Sequence, residues 1–142
     1  MAQLAVRDLM ATDIVTLEED EDLDLAEQLM QLARIRHLPV VRDGDLVGLV
    51  TNRDLLRAQA SHLAEPSAEQ KKAMNLWVKA GWIMTRDVQT VEPDAPLLEA
   101  AHMLRNHKYG CLPVVEGGKL VGILTEDDFV RHTIHQLEDP RQ

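Results

Sequence analysis

Residues 38–51 read Leu38-Pro39-Val40-Val41-Arg42-Asp43-Gly44-Asp45-Leu46-Val47-Gly48-Leu49-Val50-Thr51, and most of this stretch returns 74 residues later. The second copy begins Leu112-Pro113-Val114-Val115 and ends Leu120-Val121-Gly122-Ile123-Leu124-Thr125. In each copy two apolar runs flank a turn dipeptide, Asp43-Gly44 or Gly117-Gly118, which predicts a β-hairpin. The chain therefore contains one structural unit twice.

Outward from the hairpins, the same offset aligns the flanking segments without a gap. It pairs Met10 with Met84, Asp13 with Asp87, Thr16 with Thr90, Leu23 with Leu97, Ala26 with Ala100, Asp54 with Asp128 and Arg57 with Arg131. Apolar residues at three-to-four spacing predict a helix before each hairpin: Leu23, Ala26, Leu29, Met30 and Ala33, then Leu97, Ala100, Ala101 and Leu104. We expect a short strand before each helix, at residues 14–16 and 88–90, and another helix opened by Thr51 or Thr125. The predicted fold is α/β (α+β), with two βαββα repeats whose small sheets need each other to cover a core.

The segment between the copies has a different composition. Pro66-Ser67 breaks the chain, and residues 68–79 are expected to form a linker helix with Ala73, Leu76 and Trp77 on one side. We expect Trp77 and Trp82 to pack rather than to recognise a ligand. The predicted boundaries are 1–57 for repeat 1, 58–79 for the linker, 80–137 for repeat 2 and 138–142 for a tail.

Composition narrows the class of protein. Of 142 residues, 45% are hydrophobic but only 3% aromatic, so we expect a core of aliphatic residues. The net charge of -9 argues against a nucleic-acid partner, because such proteins bind phosphates through a basic face. The single cysteine, Cys111, excludes an intramolecular disulfide, and no apolar run is long enough for a membrane helix. With no signal-peptide pattern in residues 1–10, we expect a cytoplasmic protein without membrane insertion.

These repeats resemble the CBS (cystathionine-β-synthase) domain, which occurs as a tandem pair called a Bateman module. The resemblance covers residues 6–134 and rests on Asp8-Leu9-Met10, Trp82-Ile83-Met84-Thr85, the two Leu-Pro-Val-Val strands and the Gly-x-x-Thr-x-x-Asp endings. It implies a pseudo-twofold disc whose two clefts bind adenosine compounds: AMP, ADP, ATP, S-adenosylmethionine or NAD. It also implies a stand-alone regulatory module, not an enzyme, that forms a homodimer and signals to an unidentified regulated protein.

The two Thr-x-x-Asp motifs, Thr51 to Asp54 and Thr125 to Asp128, are the main candidates for binding. In the resemblance the aspartate accepts hydrogen bonds from ribose hydroxyls, while the threonine and the helix-start amides hold phosphate. The chemistry is suitable, because a carboxylate accepts both hydrogen bonds of a vicinal diol and a helix N-terminus attracts an anion. The same four residues also fit a capping box, which needs no ligand.

The resemblance distributes the remaining candidates between two clefts. Thr125 and Asp128 are expected with Met10, Ala11, Ile14, Val15, Arg36, His37 and Pro39, whereas Thr51 and Asp54 are expected with Met84, Thr85, Val88, Gln89, Gly110, Cys111 and Pro113. We expect the cleft of Asp128 to be the stronger site, because the polar Gln89 replaces an apolar wall residue in the other.

Cations near the motifs bear on the choice of ligand. Arg53 could reach a phosphate, with Arg36, Arg57, Lys108 and Arg131 as further candidates, while Glu126-Asp127 would repel one. A ligand of low negative charge is therefore favoured, with AMP-like compounds first.

Two other readings stay open at this point. Both motifs could serve only as caps in a ligand-free dimerisation and protein-interaction platform. A catalytic function is less favoured, because no nucleophile–base pair or glycine-rich phosphate loop occurs in the sequence. The histidine pairs His102 with His107 and His132 with His135 lack a supported metal-ligand spacing, so no metal and no catalytic cofactor is expected.

Overall fold

The computed structural model describes residues 3–60, 67–107 and 110–139. The predicted break at Pro66, the candidate cation Lys108 and residues 140–142 of the predicted tail lie outside the described residues. Contacts divide the chain into a central unit, Val15–Val88, and a terminal unit made of Met1–Ile14 and Gln89–Gln142. Each unit combines helices with a small sheet, which confirms the predicted mixed α/β class.

The central unit contains the first hairpin and the linker. Its elements are β1 (Leu17–Glu18), α1 (Leu23–Ala33), β2 (His37–Arg42), β3 (Asp45–Thr51), α2 (Asn52–Ala60), α3 (Ala68–Trp77) and α4 (Ala80–Ile83). Strand β2 lies parallel to β1 and antiparallel to β3. The turn between β2 and β3 uses positive φ at Asp43 (52°) and Gly44 (85°), as the Asp-Gly dipeptide predicts.

The acidic run before α1 has a local structural role. Asp22 caps the helix, because its Oδ1 accepts a hydrogen bond from the Leu25 amide at 2.9 Å. Behind this cap, the predicted helix face packs into an aliphatic core. The fully buried side chains of this core include Leu17, Leu23, Ala26, Leu38, Val40 and Val50.

The terminal unit repeats this plan around the second hairpin. A single 3-10 turn, Val6–Asp8, precedes α5 (Leu97–Asn106), β4 (Cys111–Glu116), β5 (Lys119–Thr125) and α6 (Glu126–Glu138). Strands β4 and β5 are antiparallel, and Gly117 and Gly118 both have positive φ in the turn between them. The buried core of this unit includes Val6, Ala100, Leu112, Val114 and Leu124.

The predicted first strands of the two repeats are wrong in position. The central unit has its strand at Leu17–Glu18 instead of residues 14–16. In the terminal unit, residues 88–90 are not a strand, and Val91 alone forms a parallel bridge with Val114. The Val91 amide donates to the Pro113 carbonyl at 3.1 Å, and the Val115 amide donates back to Val91 at 2.9 Å. The sequence predicted extended backbone near residues 14–16 and 88–90. Which residues form strand pairs, however, depends on the neighbouring strand.

The linker helix α3 forms as predicted, but it presents its other face. Trp77 is 80% exposed, Trp82 68% and Leu76 53%, so the tryptophans do not pack into the core of the chain, and their packing in an interface stays a prediction. The buried residue of α3 is the polar Asn75, which is 1% exposed. Its amide donates to Glu27 of α1 at 2.8 Å and its oxygen accepts from Gln59 of α2 at 3.2 Å. A polar contact therefore determines which way this helix faces.

None of the helices within the described ranges combines the length and the apolar character needed to cross a membrane.

Candidate functional site

The first Thr-x-x-Asp motif closes a reciprocal cap at the start of α2. The Thr51 amide donates to Asp54 Oδ2 at 2.9 Å, and the Asp54 amide donates to Thr51 Oγ1 at 3.1 Å. Both residues are half-buried, whereas Arg53 between them is exposed. The capping role considered from the sequence is therefore present in this motif.

The second motif, at the start of α6, differs in one hydrogen bond. The Thr125 amide donates to Asp128 Oδ2 at 2.8 Å, as in the first motif. The Thr125 hydroxyl, however, donates to the same carboxylate oxygen, with an O···O distance of 3.3 Å. A hydroxyl can donate and accept at the same time, so this bond is compatible with the capping box that Thr125 and Asp128 form.

Each cap uses only one of the two oxygen atoms of the motif carboxylate. Oδ2 is the acceptor in both caps, and Oδ1 of Asp54 and of Asp128 has no hydrogen-bond partner in the described part of the chain. An ionised carboxylate has about four acceptor positions in total. Each aspartate can therefore hold its helix start and still accept hydrogen bonds from a ligand hydroxyl.

Backbone pairing positions an opening segment beside each motif. In the terminal unit the Ala11 amide donates to the Ile123 carbonyl at 2.9 Å, and the Ile123 amide donates back at 2.9 Å. In the central unit Thr85 and Leu49 exchange the same two bonds, at 2.8 and 2.9 Å. Ile123 and Leu49 each lie two residues before the motif threonine. The structure thus brings Met10-Ala11 to the strand of Thr125, and Met84-Thr85 to the strand of Thr51.

A glycine in each strand permits this close approach. A Cβ on Gly48 would lie 2.8 Å from Met84 Cγ and 3.0 Å from the Thr85 carbonyl oxygen. A Cβ on Gly122 would lie 2.6 Å from Met10 Sδ and 3.1 Å from the Ala11 carbonyl oxygen. Real Cβ atoms do not approach neighbours this closely without a shift, so both pairings require glycine or movement.

The residues before β2 and β4 lie beside the motif of their own unit. His37 pairs with Thr51 in the strand register, and the Asn52 amide donates to the Arg36 carbonyl at 2.8 Å. Cys111 pairs with Thr125 in the same way. The sequence assigned Arg36 and His37 to the cleft of Asp128, and it assigned Cys111 to the cleft of Asp54. Inside their own units these residues neighbour the other motif.

The remaining candidates fall into both units. Val15, Pro39 and Val88 belong to the central unit, where Val15 packs against the core and Pro39 is buried. Ile14, Gln89, Gly110 and Pro113 belong to the terminal unit, where the Gly110 carbonyl accepts from the Glu126 amide at 3.4 Å. Each predicted set of nine residues is therefore divided between the units, five in the unit of its own motif and four in the other.

Gln89 has a local partner that the sequence did not reveal. Its Oε1 lies 2.6 Å from His107 Nε2, and both residues line an open cavity of about 590 Å³ on the face of α5. Leu98, His102 and Met103 are among the other residues of its lining. Helical spacing could not predict this contact, because Gln89 lies eight residues before the start of α5 and is not part of that helix.

Charges near the two motifs differ. Arg53 is exposed at the first motif, and Arg36 and Arg34 line a smaller cavity of about 370 Å³ beside Asn52. At the second motif Glu126 and Asp127 are exposed, and Arg131 forms an ion pair with Asp127 at 2.7 Å. The second motif is therefore the more acidic of the two.

Cys111 is a packing residue. It is 1% exposed, and burial raises its thiol pKa from 9.0 to about 12. A thiol with so high a pKa carries almost no thiolate at neutral pH, so it cannot act as a nucleophile there. The described residues also contain no cluster of three or more histidine, cysteine or acidic side chains that could hold a metal ion.

Comparison with known proteins places these repeats in a family. The model of the CBS domain matches residues 6–61 and again residues 78–135. A CBS domain-containing protein of Dictyostelium discoideum is 34% identical over 139 residues, which cover 96% of this chain and 95% of that protein. A homoserine O-acetyltransferase of Methanococcoides burtonii is 35% identical over 133 residues, but the chain spans only 24% of that enzyme's length.

Solved structures show the same fold. The acetoin utilization protein (AcuB) structure from Vibrio cholerae is 38% identical, with a TM-score of 0.82 and coverage of 96% of this chain and 95% of that one. CBSX2, a CBS-pair protein from Arabidopsis thaliana, was solved with AMP and is 30% identical, with a TM-score of 0.78 and coverage of 94% and 98%. The CBS domain pair of protein MJ0100, solved with 5'-methylthioadenosine and S-adenosyl-L-methionine, is 26% identical, with a TM-score of 0.77 and coverage of 95% and 99%. The chain therefore belongs to the CBS domain family, as a tandem pair.

Proposed function

We propose that this chain is a regulatory module that binds an adenosine compound at its Thr-x-x-Asp motifs and passes this signal to a partner protein. The proposal rests on the observation that the helix cap uses only one oxygen of each motif carboxylate. Asp54 and Asp128 each hold a helix start through Oδ2 and keep Oδ1 for a ligand.

The class of ligand follows from this chemistry. A ribose carries a vicinal diol that donates two hydrogen bonds, and bonds to an ionised acceptor are the stronger kind. CBSX2 with AMP and the MJ0100 pair with S-adenosyl-L-methionine are ribose-containing precedents within the family. An adenosine compound is therefore the ligand that both the motif and the relatives support.

The charged residues beside each motif rank the adenosine compounds as candidate ligands. Glu126 and Asp127 flank the second motif, and Arg131 is already paired with Asp127. Several phosphates would meet repulsion there, so AMP-like ligands rank first, with ADP, ATP, S-adenosylmethionine and NAD behind them. In the first motif Arg53 is the cation best placed for a single phosphate.

Such a module acts by binding a ligand and a partner protein, and it does not catalyse a reaction. We propose a cytoplasmic homodimer that acts on a separate regulated protein. The exposed apolar side chains of the chain, among them Trp77, Trp82 and Leu137, provide surface for such contacts.

Thermal unfolding with AMP, ADP, ATP, NAD and S-adenosylmethionine tests the proposal. A ligand at 100 times its Kd raises the free energy of unfolding by about 2.7 kcal/mol. For a chain of this size that corresponds to roughly 8 °C in Tm. We expect the largest shift with AMP. No shift with any of the five compounds at millimolar concentration contradicts the proposal.

Substitution by asparagine separates binding from capping. Asp54→Asn and Asp128→Asn keep one oxygen for the cap but replace the second acceptor by a donor. We expect each variant to keep its Tm without ligand and the double variant to lose the shift with AMP. Asp22→Asn is the control, because the Asp22 carboxylate also caps a helix start, as the N-cap of α1, outside both motifs. Its shift with AMP should equal that of the unsubstituted chain.

A ligand-free interaction platform is the alternative, and the caps themselves favour it. Both motifs form complete helix starts without any ligand. If this alternative holds, the double asparagine variant keeps partner binding, and added adenosine compounds leave both Tm and partner binding unchanged.

A further inference from the structure

The central unit contains a cavity of about 370 Å³ between the last two turns of α1 and the start of α2. The buried part of its lining is apolar, since Met30 and Leu55 are 5% and 2% exposed and Ile35 is half-buried. The other lining residues are polar or charged: Glu27, Gln31, Arg34, Arg36 and Asn52. We call this the α1–α2 cavity. Small-molecule sites in proteins usually have about 300–1,000 Å³ and combine an apolar lining with a few polar groups.

The charged groups of the α1–α2 cavity are not paired with one another. Within the described residues Arg34 and Arg36 form no ion pair, although the chain has 24 acidic residues for 15 lysines and arginines. Glu27 Oε2 accepts a hydrogen bond from the Asn75 side-chain amide at 2.8 Å, and Glu27 Oε1 has no partner in the same part of the chain. Charges of both signs are therefore available to a ligand in one cavity.

Arg34 has a backbone conformation that arginine seldom adopts. It ends α1 in the left-handed region, with φ 56° and ψ 44°, and its amide donates to the Met30 carbonyl. Glycine or asparagine usually occupies such a position, because a side chain there crowds the backbone. The end of the helix therefore does not require arginine, and glycine would satisfy it with less strain. The guanidinium that lines the cavity needs another explanation.

The second repeat builds the same elements without this set of charges. The 74-residue offset keeps the apolar lining, since Met30 aligns with Leu104 and Leu55 with Phe129. Three of the polar positions change to residues of another kind: Glu27 aligns with Ala101, Arg36 with Gly110 and Asn52 with Glu126. The equivalent of Arg34 is Lys108, which lies outside the described residues. The fold thus tolerates the loss of these polar groups, which favours a role for them beyond packing.

We infer that the α1–α2 cavity binds a small zwitterion, of which a free α-amino acid with an aliphatic side chain is the simplest case. Guanidinium groups hold a carboxylate through paired N–H donors, so Arg34 and Arg36 are suited to the carboxylate. Glu27 Oε1 is suited to the ammonium group, and the buried apolar lining to the aliphatic side chain. A ligand with only one sign of charge would meet repulsion, an anion from Glu27 and an amine from the arginines. The inference goes beyond the proposed function, because neither Thr51 nor Asp54 lines this cavity and a second class of ligand is added.

Isothermal titration of the full chain with L-leucine and L-methionine tests the inference, with two analogues of leucine for comparison. 4-Methylpentanoate lacks the ammonium group of leucine, and 3-methylbutylamine lacks its carboxylate. We expect L-leucine to bind and each analogue to bind at least about tenfold more weakly, because each loses one charge-assisted contact.

Two variants separate binding from structure. Arg34→Gly removes the guanidinium and suits the left-handed backbone, so it should raise Tm by a few degrees without ligand and weaken L-leucine binding at least about tenfold. A residue with only a structural role would change Tm and leave binding unchanged. Glu27→Gln keeps an oxygen for Asn75 but removes the charge, so 4-methylpentanoate should bind this variant within about threefold of L-leucine.

Arg105→Ala is the matched control for the loss of an arginine. Arg105 is exposed on α5, the equivalent helix of the second repeat, and it lines neither this cavity nor the larger one on α5. Its L-leucine affinity should equal that of the unsubstituted chain.

Several outcomes would overturn the inference. Heats of dilution alone with both amino acids show that the cavity binds no such ligand. Equal affinity for L-leucine and 4-methylpentanoate in the unsubstituted chain, or unchanged L-leucine binding in Arg34→Gly, shows that the cavity charges do not recognise it. Loss of L-leucine binding in the Asp54→Asn and Asp128→Asn double variant places the amino acid at the motifs instead. The Tm shift with AMP is measured on the same proteins, so failure of this inference alone leaves that shift in place.

Discussion

Replacing Gly48 with alanine introduces a methyl group between β3 and the segment that follows α4. The new Cβ would lie 2.8 Å from Met84 Cγ and 3.0 Å from the Thr85 carbonyl oxygen. Neither neighbour moves easily, because Met84 is only 8% exposed and the Thr85 carbonyl is bonded to the Leu49 amide at 2.9 Å. Overpacking of this kind costs about 1–3 kcal/mol, and the fixed carbonyl places Gly48→Ala toward the upper part of that range.

The equivalent change in the terminal unit should cost less. At Gly122 the Cβ would lie 2.6 Å from Met10 Sδ and 3.1 Å from the Ala11 carbonyl oxygen, and Met10 is less buried than Met84. We therefore expect Gly48→Ala to lower the free energy of unfolding by about 2–3 kcal/mol and Gly122→Ala by about 1 kcal/mol. Urea unfolding followed by far-ultraviolet circular dichroism measures both, with the m-value unchanged if only stability is affected.

A double-mutant cycle checks the stated cause. Met84→Ala removes the side-chain atoms that the new methyl group meets, at its own cost of about 2–5 kcal/mol for a buried methionine. Combined with Gly48→Ala it should cost less than the sum of the single changes by about 1 kcal/mol or more. Gly117→Asn is the control, because no atom lies within 4 Å of a Cβ there and asparagine tolerates its φ of 60°. A Gly48→Ala change within about 0.5 kcal/mol of neutral, or strict additivity with Met84→Ala, would refute the steric argument.

Two further predictions concern buried polar and titrating groups. Asn75→Leu leaves Gln59 and Glu27 without their partner, so it should lower the urea midpoint by the equivalent of about 1–3 kcal/mol. Adding Gln59→Leu should recover part of that loss, and a further full loss would contradict the role of the contact. Cys111 has its pKa raised to about 12 by burial, so the unfolded chain loses the thiol proton first as the pH rises above about 9. Stability should therefore fall above pH 9 faster than in Cys111→Ala, by up to about 1.4 kcal/mol per pH unit, and equal slopes in the two proteins would contradict the assigned cause.

The hairpins could be predicted because a few neighbouring residues determine each turn. Asp43-Gly44 and Gly117-Gly118 demand positive φ, which the structure shows at all four residues. Helices α1 and α5 were equally accessible, because three-to-four spacing of aliphatic residues reports one buried face. The start of α2 and of α6 at Thr51 and Thr125 also depends on only four residues of sequence.

Local spacing did not predict where the opening segments pack; only the resemblance to the family put Met10-Ala11 with Thr125 and Met84-Thr85 with Thr51. Residues 3–14 pack with the second repeat, where the Val6 amide donates to the Ala95 carbonyl at 3.0 Å, and residues 78–88 pack with the first. The 74-residue offset between similar segments marks where each sequence repeat begins, whereas contacts show which segments pack together. The predicted domain boundaries describe the sequence repeats, and they stay a prediction.

The orientation of α3 was missed for a different reason. The sequence placed Ala73, Leu76 and Trp77 on one side of the helix, and such an apolar side is normally the buried one when burial of apolar area dominates. Here Asn75 is the buried residue, and its partners lie 48 and 16 residues away in the chain. Spacing within one helix carries no information about such distant partners.

The two motifs are the same in sequence type but not in their hydrogen bonds. In the central unit Thr51 Oγ1 already accepts the Asp54 amide, so a ligand phosphate there would depend on exposed Arg53. In the terminal unit the Thr125 hydroxyl also donates to the Asp128 carboxylate, within the capping box that the two residues form. The acidic neighbour Asp127 opposes an anion, but its pairing with Arg131 offsets part of that charge. Under the proposed function the terminal motif should therefore tolerate few phosphates, which favours an AMP-like ligand over ATP at this motif.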